Sequence, residues 1–394
     1  MKTAVGIGAA ALVAFASALA FAPRTPPPLA PTTIGIERSH FNTITQAGDR
    51  LLTAGALGEI LYSDDKGAHW QQAQIKEQRQ ALIVSMAFAP DRKTGFAVGH
   101  EGWILRTKDG GSTWEEVAFS EENGEPLMSI ARLPSGDWIS VGAFGRAITS
   151  RDNGQTWEQL PLPSEVEDKH MNRIASSEDG KHWLIVGERG LVIKSEDSGA
   201  SWQIEPGFYN GSFYNAMATR DGGWLIYGMR GNAFVQAAPG AQWVKSTIQA
   251  PVSFFGHAQE KDGAIILVGQ GSMLGLSKDG GKSFSLQRAK GRATLTDIVL
   301  TGPDSGWMSS DAGLQPFPHH NKPRQTLRLP QERLNDSERT HQPAGPVYCI
   351  HGTLADLVEQ VHSRADADCH GTAGCLGHAH APGSGLQQVD PHAS

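Results

Sequence analysis

The chain has 394 residues, a formal charge of −7, 46 glycines, 22 prolines and only 19% charged residues. That composition excludes a long coiled coil, which needs helix formers at heptad spacing. It also excludes wholesale disorder, because 39% apolar content with ten tryptophans supports a sizeable core. The acidic balance offers no basic footprint for nucleic acid. The three cysteines all lie beyond residue 348, so the body has no disulfide framework.

The chain opens on Lys2 and an uncharged apolar run from Ala4 to Ala22, with Ala18-Leu19-Ala20 as a small-x-small cleavage site. Residues 1–22 are therefore expected to be a Sec export signal. An uncleaved anchor is the alternative, because the run approaches the roughly 20 residues that span a bilayer. No cysteine follows the run, so a lipoprotein anchor is excluded. A Pro-rich linker occupies 23–33. The expected location is periplasmic or otherwise extracytoplasmic.

From residue 34 to 318 the chain repeats. The stretch from Ser63 to Trp70, containing Asp65, returns as Thr107 to Trp114 with Asp109 and as Ser150 to Trp157 with Asp152. It returns again as Ser195 to Trp202 with Asp197 and as Ser277 to Phe284 with Asp279. A degraded copy ends at Gly240 and Trp243. The aromatic positions are 44, 43, 45, 41 and 41 residues apart, and a Gly-x-x-Gly segment precedes each box, degraded to Gly269-Gln270-Gly271-Ser272 in the sixth unit. Each unit reads as four short strands punctuated by turns. In the third unit these are 128–132, 138–141, 146–150 and 157–160. Strands such as Trp183-Leu184-Ile185-Val186 are apolar on both faces, which suits a sheet sandwiched between two others. Four-stranded units at this period predict an all-β, seven-bladed β-propeller. The seventh unit, Leu295 to Pro318, lacks a box and an outer strand. Thr33 to Arg38 is a candidate to supply that strand and close the ring.

The box resembles the Asp-box of bacterial neuraminidase repeats. Its Asp and Ser/Thr are expected to bond the turn backbone, its Gly to supply a positive φ, and its aromatic residue to pack between blades. Calcium is excluded on ligand number, because each box brings at most two adjacent carboxylates against the 6–8 oxygens the ion takes. No metal and no cofactor are expected.

In an antiparallel meander, the loops joining second to third strands share a face with the loops joining one blade to the next. Function is expected on that face. The candidates are His100, Glu101, Phe144, Arg146, Glu188, Arg189, Met229 and Arg230 from the Gly-x-x-Gly loops. The inter-blade loops are expected to add His170, Asn172, Arg173, Tyr209, Phe213 and Tyr214. The arginines suit a carboxylate terminus or an acidic peptide.

The repeated Val-Gly-x-x-Gly-x-Ile/Leu-x-x-Ser/Thr-x-Asp-x-Gly-x-x-Trp elements resemble the photosystem II assembly and stability factor family of cyanobacteria and chloroplasts. The resemblance implies a non-enzymatic protein that assists early photosystem II assembly by binding the D1 precursor through an arginine-rich patch. Arg146, Arg189 and Arg230 are the positions that would serve here. The chain departs from cyanobacterial members in lacking a lipoprotein cysteine. Related proteins of non-photosynthetic bacteria, some associated with membrane exporters, share the motif. The expected partner is therefore a membrane protein or complex, bound by a monomer.

The alternative is a glycan-binding or sialidase/glycoside-hydrolase-like Asp-box propeller. The early Phe/Tyr-Arg-Ile-Pro motif of sialidases is absent, and Glu101 and Glu188 are the candidates for the two carboxylates an inverting glycosidase would need. No catalytic residue is assigned. From 319 to 394 the repeat stops, and the tail holds nine of fifteen histidines and every cysteine. It reads as disordered or as a frameshifted C-terminus, with adventitious rather than structural metal binding at Cys369, Cys375, His378 and His380.

Overall fold

A computed structural model describes residues 35–120, 124–303 and 305–317, with five further positions (11, 12, 14, 15 and 17) that are helical. The signal, linker and tail expectations for 1–33 and 319–394 lie almost wholly outside the described residues. Among the described residues, no helix is long and apolar enough to cross a membrane.

Seven antiparallel sheets follow one another along the chain, and each is a meander. The first blade comprises Phe41–Ala47, Arg50–Gly55, Ile60–Ser63 and Gln71–Gln72. The third comprises Leu127–Arg132, Trp138–Gly142, Ala147–Ser150 and Glu158–Gln159, within two residues of the bounds expected from sequence. The protein is a seven-bladed propeller, as the repeats require. Blade 7 has three described strands: Leu295–Gly302, Ser305–Ser310 and Gln315–Phe317.

The second strands explain the unbroken apolar runs. Trp183 and Ile185 point into the core shared by blades 3 and 4. Leu184 and Val186 point into the core shared by blades 4 and 5. Period-two alternation thus feeds two cores at once, and no face of the strand is left for water.

Ring closure differs from expectation. Ile36 to Arg38 form a turn, and the Ile36 carbonyl accepts from the Leu314 N–H at 2.7 Å. They add no outer strand to blade 7, while 33 and 34 lie outside the described residues. Blade 7 instead meets blade 1 side on. Thr296 Oγ1 donates to the Phe41 carbonyl at 2.7 Å, and Trp307 Nε1 donates to the Lys66 carbonyl at 2.9 Å. Trp307 also packs edge-to-face on the box residue Trp70, with centroids 5.9 Å apart. Two other outer edges are covered by the chain arriving from the previous blade. Gln74–Ile75 runs parallel to the outer strand Thr113–Ala118 of blade 2, and Thr247–Ile248 to Ser283–Arg288 of blade 6. A covered edge cannot template pairing with another chain.

The boxes tie each blade to the one before it. In blade 3 the Ser150 hydroxyl donates to Asp152 and accepts from the Gly154 N–H. Asp152 also accepts from the Gln155 and Thr156 N–H groups and the Thr156 hydroxyl. His69, Thr113, Ser201 and Ser283 repeat the role of Thr156, a box member that sequence reading passed over. Both carboxylate oxygens are thus engaged, which leaves the turn fully bonded without a metal. The box glycines need more than their positive φ. A Cβ on Gly67, Gly111, Gly154 or Gly199 would collide with Trp307, Leu52, Phe96 or Leu133, each in the preceding blade. The aromatic residue follows the same route, as Trp157 meets Phe96 at 5.7 Å and Trp202 joins the core of blades 3 and 4. Burial of each large ring contributes about 1.5–3 kcal/mol.

Candidate functional site

The Gly-x-x-Gly loops form the opposite face, and their backbone is as repetitive as that of the boxes. The first glycine is extended, with φ between −161° and −179° in blades 1, 2, 4, 5 and 6. Its role is close approach. A Cβ on Gly55, Gly99, Gly142, Gly187, Gly228 or Gly269 would strike the carbonyl that precedes its blade's first strand. The next residue donates its N–H to that same carbonyl, as Ala143 does to Pro126 at 2.9 Å and Glu188 to His170 at 3.0 Å. The third residue is forced into the left-handed region. Leu57, Glu101, Phe144, Arg189 and Arg230 have φ between 49° and 58°.

That third position is where the blades differ. Leu57 is 70% exposed and Phe144 48% exposed, and both are large apolar side chains facing water. Glu101, Arg189 and Arg230 are exposed too. A left-handed conformation costs a non-glycine residue roughly 1–2 kcal/mol. Five such residues at equivalent positions turn one side chain per blade outward on a rigid loop.

The loops are stitched to the inter-blade segment that follows. Gly145 N–H donates to the Lys169 carbonyl at 2.8 Å and Gly190 N–H to the Gly211 carbonyl at 2.7 Å. Phe144 stacks edge-to-face on His170, with centroids 4.6 Å apart, and its N–H donates to His170 Nδ1. The arginines are not equal. Arg146 lies 3.9 Å from Glu125, and Arg189 lies 3.2 Å from Asp168. Arg230 has no carboxylate within 4 Å among the described residues. Arg288, at the end of the outer strand of blade 6, and Lys290 and Arg292, on the segment that leads to blade 7, are exposed on the same face. Sequence reading missed them because they lie outside both repeated motifs.

Several candidates sit elsewhere than the loop assignment placed them. Arg173 and Asn172 belong to the first strand of blade 4, Met171–Ser176, and Phe213 and Tyr214 to that of blade 5, Phe213–Ala218. Tyr214 is buried and stacks on Phe255 at 5.2 Å, with Met229 against the pair. His100 is largely buried, and desolvation holds its pKa below the usual value. Glu188 is buried and accepts the His170 N–H at 3.1 Å.

The loops were misassigned because of a bulge at the start of every first strand, where register shifts in all seven blades. It extends each first strand toward the loop face by one unpaired residue. The positions just after it, among them Ser85, Ser129, Arg173, Asn215 and Asp297, line up around the propeller axis. They bond across blades. Ser85 Oγ and Ser129 Oγ each accept from the next blade, from Ile130 and Ile174 N–H.

Comparison with known proteins agrees with this architecture. A family model described as photosynthesis system II assembly factor YCF48 matches residues 64–250. Over that stretch, slightly under half of the chain, the blades are similar to that assembly-factor family. A solved structure of YCF48 bound to D1 peptide is similar at 18% identity, covering 73% of this chain and 95% of that one, with a TM-score of 0.59. YCF48 from Cyanidioschyzon merolae is similar at 15% identity over 71% of this chain and 96% of its own, also with a TM-score of 0.59. The GH74 xyloglucanase from Xanthomonas campestris reaches a TM-score of 0.59 at 13% identity, covering 76% of this chain and 54% of that one. At these identities the structures share the fold. No curated protein matches the sequence.

Proposed function

We propose that this protein is an exported, non-enzymatic propeller that binds a segment of a membrane protein during assembly or operation of its complex. The observation that carries this reading is the set of third-position residues. Phe144, Arg189 and Arg230 occupy equivalent left-handed positions on three successive blades, all exposed. A rigid row with one aromatic and two guanidinium groups suits an extended segment with an apolar residue and carboxylates. The assembly-factor family match and the structure of YCF48 with D1 peptide support a membrane-protein client. The apolar run from Ala4 to Ala22 supports export.

The geometry speaks against a glycosidase carboxylate pair. Glu188 is buried and engaged by backbone, whereas Glu101 is exposed on blade 2. Affinity purification of the tagged protein from its native membranes tests the proposal, with a Phe144→Ala/Arg189→Ala/Arg230→Ala variant in parallel. A membrane protein recovered with the wild type and lost with the folded variant is the expected result. Equal recovery by both would move the interface off this face.

A further inference from the structure

The propeller axis holds a feature that the loop face does not use. A cavity of about 650 Å³ lies against the first strands of blades 1 to 6, lined by residues including Ala131, Arg173, Ala175, Thr219 and His257. Glu178 and Arg220, from the turns between first and second strands, also line it, so it opens on the box face. Its volume falls in the range of small-ligand pockets, roughly 300–1,000 Å³.

Arg173 is the outlier in this wall. The equivalent positions in the other blades are Thr43, Ser85, Ser129, Asn215, Gly256 and Asp297. The long guanidinium side chain at this one place is half-buried. Among the described residues it makes no hydrogen bond and has no carboxylate within 4 Å. The other cations of the wall are committed elsewhere: Arg220 donates to the Lys261 carbonyl at 2.6 Å, and Arg132 lies over the Trp138 ring. Asp297 does not line the cavity and is engaged by Thr43 Oγ1 and the Ile44 and Ile298 N–H groups. Its charge acts on the Asp297 carboxylate only from beyond 4 Å, so the hydrogen-bond donors of the half-buried guanidinium stay unused and open to a ligand.

A second donor faces the same space. His257 Nδ1 lies 2.7 Å from the hydroxyl of Tyr227, which is fully buried. The phenol has no other partner among the described residues, so its hydrogen goes to Nδ1. The proton of the neutral imidazole then sits on Nε2, making the ring a donor. Burial favours this neutral form, holding the His257 pKa down to about 3.

We infer that the axial cavity binds a small multivalent oxyanion, a carboxylate or a phosphate compound, held by the Arg173 fork and the His257 N–H. Planar, bidentate recognition of such groups is what guanidinium provides. The site lies apart from the loop face and stands whether or not the client-binding reading does.

Isothermal titration of the full chain at low salt, with citrate and inorganic phosphate as separate probes, tests this. One-to-one saturation by either probe is expected, and which one saturates decides between carboxylate and phosphate. Arg173→Gln should weaken that binding at least tenfold, or about 1.4 kcal/mol. If Arg173→Gln fails to fold, Ala175→Leu decides, because it fills the cavity while keeping the arginine, and it should abolish binding. No saturation by either probe at about 10 mM, or wild-type affinity in the folded variants, overturns the inference.

Discussion

Two turns recur around this propeller, one on each face, and they have varied in opposite ways. The box repeats its side chains as well as its backbone, because each one is used inside the protein. Its Ser, Asp and Gly bond or pack against neighbours, and the glycine has no room for a Cβ against the preceding blade. The Gly-x-x-Gly loop repeats only its backbone. Its third side chain is exposed to solvent wherever it is not glycine and is not needed to bond the turn, so it is Leu, Glu, Phe, Arg, Arg and Gly in successive blades. Internal satisfaction removes freedom from one face, and solvent exposure leaves it on the other. Blade 5 shows the converse. Its box has Gln236 in place of the hydroxyl residue, and Gly240 has nothing within reach of a Cβ.

The contrast breaks most sharply at a box glycine. Gly154→Ala places a methyl against the Phe96 ring, which is buried and packed on Trp138 at 4.6 Å, and does so at a φ of 80°. A loss of about 2–4 kcal/mol is expected from overpacking plus backbone strain. Gly240→Ala is the matched control, with a similar φ of 78° and open space. It should cost only about 1 kcal/mol, the conformational part. Chemical denaturation of both variants reads the difference. Equal costs would show that the inter-blade contact contributes nothing.

Ser277→Ala is next in size. The hydroxyl is buried, donates to Asp279 at 2.7 Å and accepts from the Gly281 N–H at 2.9 Å. Its removal leaves a buried N–H unpaired, which costs about 1–3 kcal/mol. Gln236→Ala in blade 5 removes a single bond to the Ala241 carbonyl and should cost less. A denaturation series that ranked them the other way would remove the box from the stabilising features.

Acid should weaken the boxes in a pH window of their own. Asp65, Asp152 and Asp197 are held from 3.8 down to about 2, Asp152 mainly by the Thr156 hydroxyl and Asp197 mainly by the Ser201 hydroxyl. A carboxylate depressed in the folded state stabilises it above the unfolded pKa, and that contribution is lost as pH falls from about 4 to about 2. His257 adds an earlier decline. Its folded value near 3 lies below the usual 6.5, so the unfolded chain takes up the proton first and stability falls as pH drops below about 6.5. Thermal midpoints against pH should therefore show two phases. Asp152→Asn should flatten only the lower one, and an unchanged lower phase would contradict the box assignment.

The same contrast explains what the sequence made legible. Period, blade number and box turns could be read because the repeated Ser/Thr, Asp, Gly and aromatic residues of a box are constrained by neighbours in its own or the preceding blade. The bulge at the head of each first strand could not, since residues as different as Asn42, Met128 and Tyr214 occupy it without a turn signal. Missing it shifted Arg173 from the axis to a loop. The left-handed third residue was hidden too, because Arg189 and Arg230 are not residues that advertise a positive φ. Arg288, Lys290 and Arg292 carry no motif at all, and only topology brings them to the face of Arg230.

The smallest expected effect is the sharpest test of the loop face. Arg189→Gly relieves a φ of 52° and removes only a solvent-exposed pairing with Asp168 at 3.2 Å. Exposed pairs contribute about 0–1 kcal/mol, against about 1–2 kcal/mol for left-handed backbone in a residue with a Cβ. Glycine's greater freedom in the unfolded chain returns part of that gain. The net should be a stabilisation of about 0.5 kcal/mol or less, whereas binding to a carboxylate-bearing client should weaken. Stability and binding thus move in opposite directions at one residue, as expected where strain is kept to present a side chain. Blade 6 already carries glycine at this position, Gly271 with φ 66°, so the backbone itself tolerates the change. Denaturation and client pull-down on the same preparation settle it. A variant that lost stability would mean that Arg189 holds the loop rather than offers its side chain.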